Sequence, residues 1–388
     1  MRQHRWARAV CTAALLLTPI AVAEPRSDFA IESEKKDGIN SLGLSADGNR
    51  IITGTRENVA IVWDLRKGKR LRALSGHTGA VVAVSLSADG KTALTGSYDQ
   101  TAILWDVDSG RQLRTFTGHS DWVLSVALSR DGKRALTGGM DGAVFLSDAS
   151  TGANIHAFAG HTAGVLSVDI AENAKRIVTG SYDKKAILWD ADAGKEIRTL
   201  SGHTNYVESV SLSADGTRAL TGSDDRKAIL WDTETGSKLF TFTGPRRMVL
   251  GVNLSADAKQ AFTVYEDGSV LQWDAATGNK LRSFTGHTDS VQAVKTTSDG
   301  KRVWTGSADG TTRLWNAQTG KELARLVSLD SGKGWLVIGP DGYFDASPDA
   351  AKYLTCRDAN TNLAVPFEEF RKKHQRPGLL AQIVRSED

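Results

Sequence analysis

Cysteine is scarce in this chain. Of two in 388 residues, Cys11 lies in the first 23 and Cys356 stands alone thereafter, so no intramolecular disulfide can staple the remainder. Surplus charge is missing too. The chain has 48 Lys+Arg against 45 Asp+Glu, and the first 23 residues hold three arginines and no acid, leaving 45 against 45. A balanced chain sets up no overall field to steer it toward nucleic acid or an acidic membrane. Catalytic signatures are the third absence. There is no Gly-rich phosphate loop, no His/Cys cluster at metal-ligand spacing and no single nucleophile with its base. Of the eight histidines, five follow a glycine, His4 is near the N-terminus, and His156 and His374 stand alone. No enzyme activity, cofactor or metal is expected.

Long apolar runs are absent beyond Ala9–Val22, which Thr12, Thr18 and Pro19 interrupt. It falls short of the ~20 residues a membrane helix needs. Arg2, Arg5 and Arg8 precede it and Ala21-Val22-Ala23 follows, the layout of a secretory signal peptide cleaved before Glu24. Residues 1–23 are therefore expected to be removed, leaving a periplasmic or secreted protein, with a retained anchor as the alternative. Cys11 is not a lipidation site, because the apolar core follows it. About 365 residues remain, ample for a core if repeats share interfaces.

What the chain does have is a repeat. From Gly76 to Asp106 it reads Gly76-His77, an alternating run to Ser87, a turn at Ala88-Asp89-Gly90, and a second run ending Thr95-Gly96-Ser97. A tight turn at Asp99 and a third run closing on Trp105-Asp106 complete it. The turn Val107-Asp108-Ser109-Gly110 and a fourth run, Gln112 to Thr117, lead to the next Gly-His. Trp63, Trp105, Trp189, Trp231, Trp273 and Trp315 keep a 42-residue period, and Ser147 holds the one missed beat. Alternation within each run and short Gly/Asp turns predict four strands per repeat. Asp106-Val-Asp108-Ser-Gly110 resembles the start of a calcium loop, but the position of the bidentate Glu is Thr117, and turn chemistry explains the aspartates. A fixed period of this length with Gly-His and Trp-Asp signatures indicates a β-propeller. These residues resemble the WD40 family over nearly the whole chain after residue 23.

Seven repeats are clear, from Ile39 to Asn316. The clock runs on, since Gly339-Pro340-Asp341-Gly342 lies 252 residues, six periods, after Ser87-Ala88-Asp89-Gly90. Gly334–Ile338, Tyr343–Ser347 and Tyr353–Asp358 are thus read as three strands of a degenerate eighth blade. Ser27–Ser33, one period before Lys69–Ser75, supplies its outer strand and closes the ring. This all-β fold is expected to have eight blades rather than seven, spanning 24–361, with 362–388 a helix and tail packed on the ring. The ending GWLVIGPDGYFDASPDAAKYL…FEEFRKKHQRPGLLAQIV resembles a module of bacterial WD-repeat proteins that often precedes a caspase-like peptidase. With Asp388 as its last residue, no peptidase is expected.

The WD40 resemblance implies a buried tetrad in each blade: His from Gly-His, Thr from the second strand, Asp from the tight turn, Trp from the third strand. It maps onto His77, Thr95, Asp99 and Trp105; His161, Thr179, Asp183 and Trp189; His203, Thr221, Asp225 and Trp231; and His287, Thr305, Asp309 and Trp315. Fully satisfied buried polar groups fix one geometry. A constellation repeated at equivalent positions is scaffold rather than catalytic site. Blade one departs from the set, with Glu57 in the turn and Lys35 for His beside Thr53 and Trp63. Blade three has His119, Thr137 and Asp141 but Ser147 for Trp. Blade six has Thr263, Asp267 and Trp273 but Pro245 for His. Replacing Ser147 by Trp is expected to raise the melting temperature.

Binding by propellers of this family is implied on the face that carries the residue opening strand one and the residue before the turn Asp. Those positions give Tyr98, Trp122, Met140, Tyr182, Tyr206, Asp224, Arg246, Met248 and Glu266 over blades two to six, against Ser290 and Ala308 in blade seven. Such an arc has the composition of a binding hot spot. The expected function is a non-catalytic scaffold for a protein or peptide in the bacterial cell envelope. The alternative is a small molecule or glycan in the central channel, which would require polar groups that the other blades lack.

Overall fold

The computed structural model describes residues 29–33, 36–358 and 364–386. The expected signal sequence and Lys35 lie outside them.

Six of the seven repeats form a four-stranded antiparallel sheet, and the seventh adds strands to its own four, because the turns impose sharp reversals. At Ser87-Ala88-Asp89-Gly90 the Ser87 hydroxyl donates to Asp89 Oδ1 at 2.7 Å, and that carboxylate accepts the Lys91 amide at 3.0 Å. Gly90 takes φ +65°, a backbone conformation that costs glycine nothing. In blade two, Val81–Leu86, Thr92–Ser97, Thr101–Asp106 and Gln112–Thr117 pair in chain order, and Thr95 opposes Ile103. Burial grades across the blade. The second and third strands are almost wholly enclosed between neighbouring blades, while the fourth is mostly exposed at the rim. Side chains from one first strand stitch to the next, as when Ser41 Oγ accepts the Val84 amide at 3.2 Å. The same bond recurs from Ser125 to Val168 and from Ser209 to Val252.

The ring closes with seven blades, which corrects the expectation of eight. The first strand of blade seven, Val291–Thr296, packs directly against that of blade one, Ile39–Leu44. One core cluster joins Leu42, Ile51 and Trp63 of blade one to Trp304, Leu314 and Leu326 of blade seven. The segment expected as an eighth blade folds back instead. Blade seven's outer strand runs for eight residues, Glu322–Leu329, into a hairpin where Asp330, Ser331 and Gly332 all have positive φ. Gly334–Ile338 returns antiparallel along its outer edge, followed by Phe344–Ala346, so blade seven has six strands. A tight hairpin has no length to carry the chain back to the channel, as the Gly-His loops do elsewhere.

The N-terminal strand does not close the ring either. Phe29–Glu32 pairs with Thr355–Asp358 in a small separate sheet with Ala364–Val365. Closure rests on Asp37, a buried carboxylate that accepts bonds from Ser328 Oγ (2.6 Å) and the amides of Ser331 (2.8 Å) and Gly332 (3.0 Å). It ties the start of blade one to the hairpin after blade seven's outer strand.

Two helices, α1 (Phe367–His374) and α2 (Leu379–Ser386), follow. Leu380 and Val384 of α2 join the core shared by blades one and seven. The seam explains the position. Arg50 and Arg134, opening second strands, reach carboxylates of the next blade's turn at Asp108 and Asp192. The equivalent Arg302 would meet Arg66. It donates instead to the Val384 carbonyl at 2.7 Å, near the end of α2, where the helix dipole favours a cation.

Candidate interaction face and central channel

The four complete tetrads are assembled. His77 Nδ1 lies 2.8 Å from Asp99, His77 Nε2 lies 2.7 Å from Thr95 Oγ1, and Trp105 Nε1–H donates to that hydroxyl at 2.9 Å. The sets at His161, His203 and His287 repeat these contacts between 2.7 and 2.9 Å. The indole can only donate, so the Thr hydroxyl passes its proton toward His Nε2, and His Nδ1–H donates to Asp. That fixes the tautomer by network logic. Burial pushes the imidazoles of His77, His161 and His287 below their ordinary pKa, against the opposing pull of their Asp partners. Burial also opposes ionisation of Asp99, Asp183, Asp225 and Asp309. Hydrogen bonds from His and from neighbouring hydroxyl or amide groups outweigh it and hold these carboxyls below the usual range. Thr95, Thr179, Thr221 and Thr305 are fully buried, and every hydroxyl is already engaged. The constellation stiffens blades and offers no nucleophile to a substrate.

The incomplete blades are repaired differently. In blade three His119 still reaches Asp141 (3.0 Å) and Thr137 (2.9 Å). Phe145, where other blades carry Ile, Leu or Arg, lies edge-on to the His119 ring at 4.8 Å and fills part of the missing indole's place. In blade six the position held by serine in blades two, four, five and seven is Tyr265. It is fully buried, and its oxygen accepts the Thr263 hydroxyl at 3.0 Å while Trp273 Nε1–H donates to Thr263 at 2.9 Å. The phenol thus stands where Pro245 removed an imidazole, and burial raises its pKa to about 12. Sequence reasoning missed this exchange, although a tyrosine breaking a row of serines on the 42-residue clock was a readable signal. Blade one has no such repair. Glu57 is exposed, and Thr53 Oγ1 is buried with no hydrogen-bond partner among the described residues.

The proposed face is organised by the backbone. Met140 N–H donates to the Trp122 carbonyl (2.8 Å), Asp224 N–H to Tyr206 (3.1 Å) and Glu266 N–H to Met248 (3.2 Å). The residue opening strand one therefore sits beside the residue before the turn Asp in each blade. Two aromatic pairs cross blade boundaries, Tyr98–Trp122 with ring centres 4.5 Å apart and Tyr182–Tyr206 at 4.7 Å. All four are half-buried, as are Met140, Asp224 and Met248, while Arg246 and Glu266 are exposed. Except for Arg246, these residues rim the mouth of a central channel of about 1390 Å³.

Deeper in that channel the first strands present one residue per blade at a common level: Gly43, Ser85, Ala127, Asp169, Ser211, Asn253 and Lys295. Four of these are small, and Asp169, Asn253 and Lys295 are polar groups that the other blades lack. Burial raises the pKa of Asp169 against the attraction of Lys295 and two backbone amides. Among the described residues no group of three or more His, Cys, Asp or Glu could hold a metal ion. Likewise no helix among them is long and apolar enough to cross a membrane.

Comparison with known families shows a repeated match. The model described as WD domain, G-beta repeat, matches residues 30–64, 68–106, 110–148, 152–190, 194–232 and 278–316, more than half of the chain. None of these six stretches covers 233–277, which holds Pro245 and Tyr265.

Proposed function

Because the chain belongs to the WD40 repeat family, we propose that it is a non-catalytic interaction scaffold that binds a protein or peptide on the face carrying the two aromatic pairs. The observation that carries this reading is the asymmetry of that face. Tyr98–Trp122 and Tyr182–Tyr206 form two half-exposed aromatic platforms on blades two to five, while blade seven offers Ser290 and Ala308. Rigid aromatic side chains bury large area at low entropic cost and dominate interface energetics. Met140, Met248, Asp224, Arg246 and Glu266 would complete the rim around them.

The basic stretch and apolar core before Ala23 support export, and hence a role in the bacterial cell envelope as a periplasmic or secreted protein. The C-terminal segment, resembling a module found beside peptidases, is read as a structural attachment of the ring, supported by α2 in the seam between blades one and seven. Partners are expected to be proteins rather than nucleic acid, given the balanced charge.

The test is affinity capture from periplasm with the wild-type chain, followed by titration of the captured protein against Trp122→Ala and Tyr206→Ala. Each variant should keep its melting temperature and bind about 30-fold or more weakly, a loss of ~2 kcal/mol. Undiminished binding by both folded variants overturns the assignment.

A further inference from the structure

The level of the channel that carries Asp169, Ser211, Asn253 and Lys295 is chemically uneven, and its unevenness exceeds what the fold requires. Elsewhere this position has a stitching role. Ser85 Oγ accepts the Leu128 amide at 3.1 Å, and Ser211 Oγ accepts that of Leu254 at 3.1 Å. Asp169 makes the same stitch through Oδ2, which accepts the Leu212 amide at 2.8 Å, while Oδ1 accepts the Ile170 amide at 3.0 Å. Serine performs this task in two blades without charge, so the carboxylate of Asp169 brings a desolvation cost that the stitch does not need.

Lys295 makes no stitch at all. It is half-buried on the channel wall, and among the described residues its ammonium has no hydrogen bond and no close ion pair, attracting Asp169 only from beyond ion-pair distance. Asn253, one blade earlier at the same level, is held by the Thr296 hydroxyl, which donates to Oδ1 at 2.8 Å. Its Nδ2 has no hydrogen-bond partner among the described residues. Two adjacent blades thus hold unclaimed donors, one of them charged. Two blades from Asn253 stands a carboxylate whose oxygens each retain acceptor capacity. On the opposite arc Gly43, Ser85 and Ala127 are too short to fill the space. Other charges also line the channel. Arg130 is paired with Glu172, and Glu208 lines the wall of the intervening blade.

We propose that this arc binds a small zwitterion, its carboxylate held by Lys295 and Asn253 and its ammonium by Asp169. Such a ligand is an amino acid or a short peptide-like molecule with its two charges several bonds apart. The site lies inside the channel and does not depend on the aromatic face capturing a protein.

The chain-length series glycine, β-alanine, 4-aminobutyrate and 6-aminohexanoate, with the dipeptide glycylglycine, reads the charge spacing by isothermal titration calorimetry. Propionate and propylamine supply each charge alone. One or more zwitterions should bind saturably, one per chain, and more tightly than either control. Lys295→Met and Asp169→Ser should each weaken that binding by about tenfold or more, ~1.4 kcal/mol. Asp169→Ser reproduces the serine stitch of blades two and five, so its melting temperature should hold and its binding defect should not reflect unfolding. Asp169→Asn provides a second, isosteric removal of the charge. Absence of saturable binding across the series overturns the proposal, as does equal binding by the folded variants. Propionate binding as tightly as the best zwitterion also overturns it, since Asp169 would then play no part.

Discussion

Blade six offers a sharp test of how this propeller tolerates the loss of a tetrad. If Tyr265 stands in for the missing histidine, its hydroxyl and its ring should contribute separately. Tyr265→Phe removes only the acceptor of the Thr263 hydroxyl, and an unsatisfied buried hydroxyl costs ~1–3 kcal/mol. The loss should fall in the lower half of that range. In blades two, four and five the corresponding threonine also lies 3.3–3.4 Å from a backbone carbonyl, a fallback to which the proton can turn. Tyr265→Ser restores the serine common to four other blades but empties a fully buried site, costing ~3–5 kcal/mol by analogy with large-to-small core changes. Pro245→His alone should also destabilise, by ~1–3 kcal/mol of overpacking. The space at Gly244 is already taken, since a Cβ there would clash with the Tyr265 oxygen. Together, Pro245→His and Tyr265→Ser rebuild the four-member set, and the double variant should recover ~2 kcal/mol or more relative to additivity. For ~350 ordered residues, an unfolding entropy of ~2 cal/mol/K per residue converts 1 kcal/mol into a shift of about 1.5 °C. Tyr265→Phe should therefore lower the melting temperature by ~2 °C and Tyr265→Ser by ~4–7 °C. Equilibrium urea unfolding of the four proteins measures the cycle directly. Additive effects in the double variant would refute the exchange of phenol for imidazole.

Blade three invites the complementary repair. Ser147→Trp alone meets Phe145, so the gain in melting temperature expected from sequence should emerge only with Phe145→Ile, read by differential scanning fluorimetry of both variants. Asp37→Ala strips the seam of three hydrogen bonds to a buried carboxylate and should cost ~3 kcal/mol or more. The readouts are the denaturation midpoint and faster proteolysis near residue 36. Acid should weaken the fold in two stages. The folded pKa values of His77, His161 and His287 lie below the unfolded value of 6.5, so their contribution is complete above that pH and declines as pH falls below it. The aspartates, depressed below 3.8, add a further loss only as pH falls below that value. Melting temperatures between pH 7.5 and 3 (about 0.5 pH apart) should show the first decline, and a flat profile from pH 7 to 5 would contradict neutral buried imidazoles.

Sequence alone determined the repeat, the strand order within each blade, the tetrad positions and the places where tetrads fail. All of these are local, because a 42-residue period carries its own turns, alternation and polar partners. Apart from Arg246, it also picked out positions that rim the channel, since they sit at constant offsets from the Gly-His and the turn Asp. The number of blades was decided only by tertiary structure. The eighth repeat keeps register in its spacing, but three left-handed residues at Asp330-Ser331-Gly332 turn the chain back along blade seven, and no periodicity announces that reversal. The seam belongs to the same class. Asp37 meets Ser331 and Arg302 meets Val384 across nearly 300 and about 80 residues of sequence, distances over which no pattern in the chain pairs them. The polar arc of Asp169, Asn253 and Lys295 lies between these extremes. Its residues share one offset in the repeat, yet only closing seven blades into a ring turns that shared offset into a common wall.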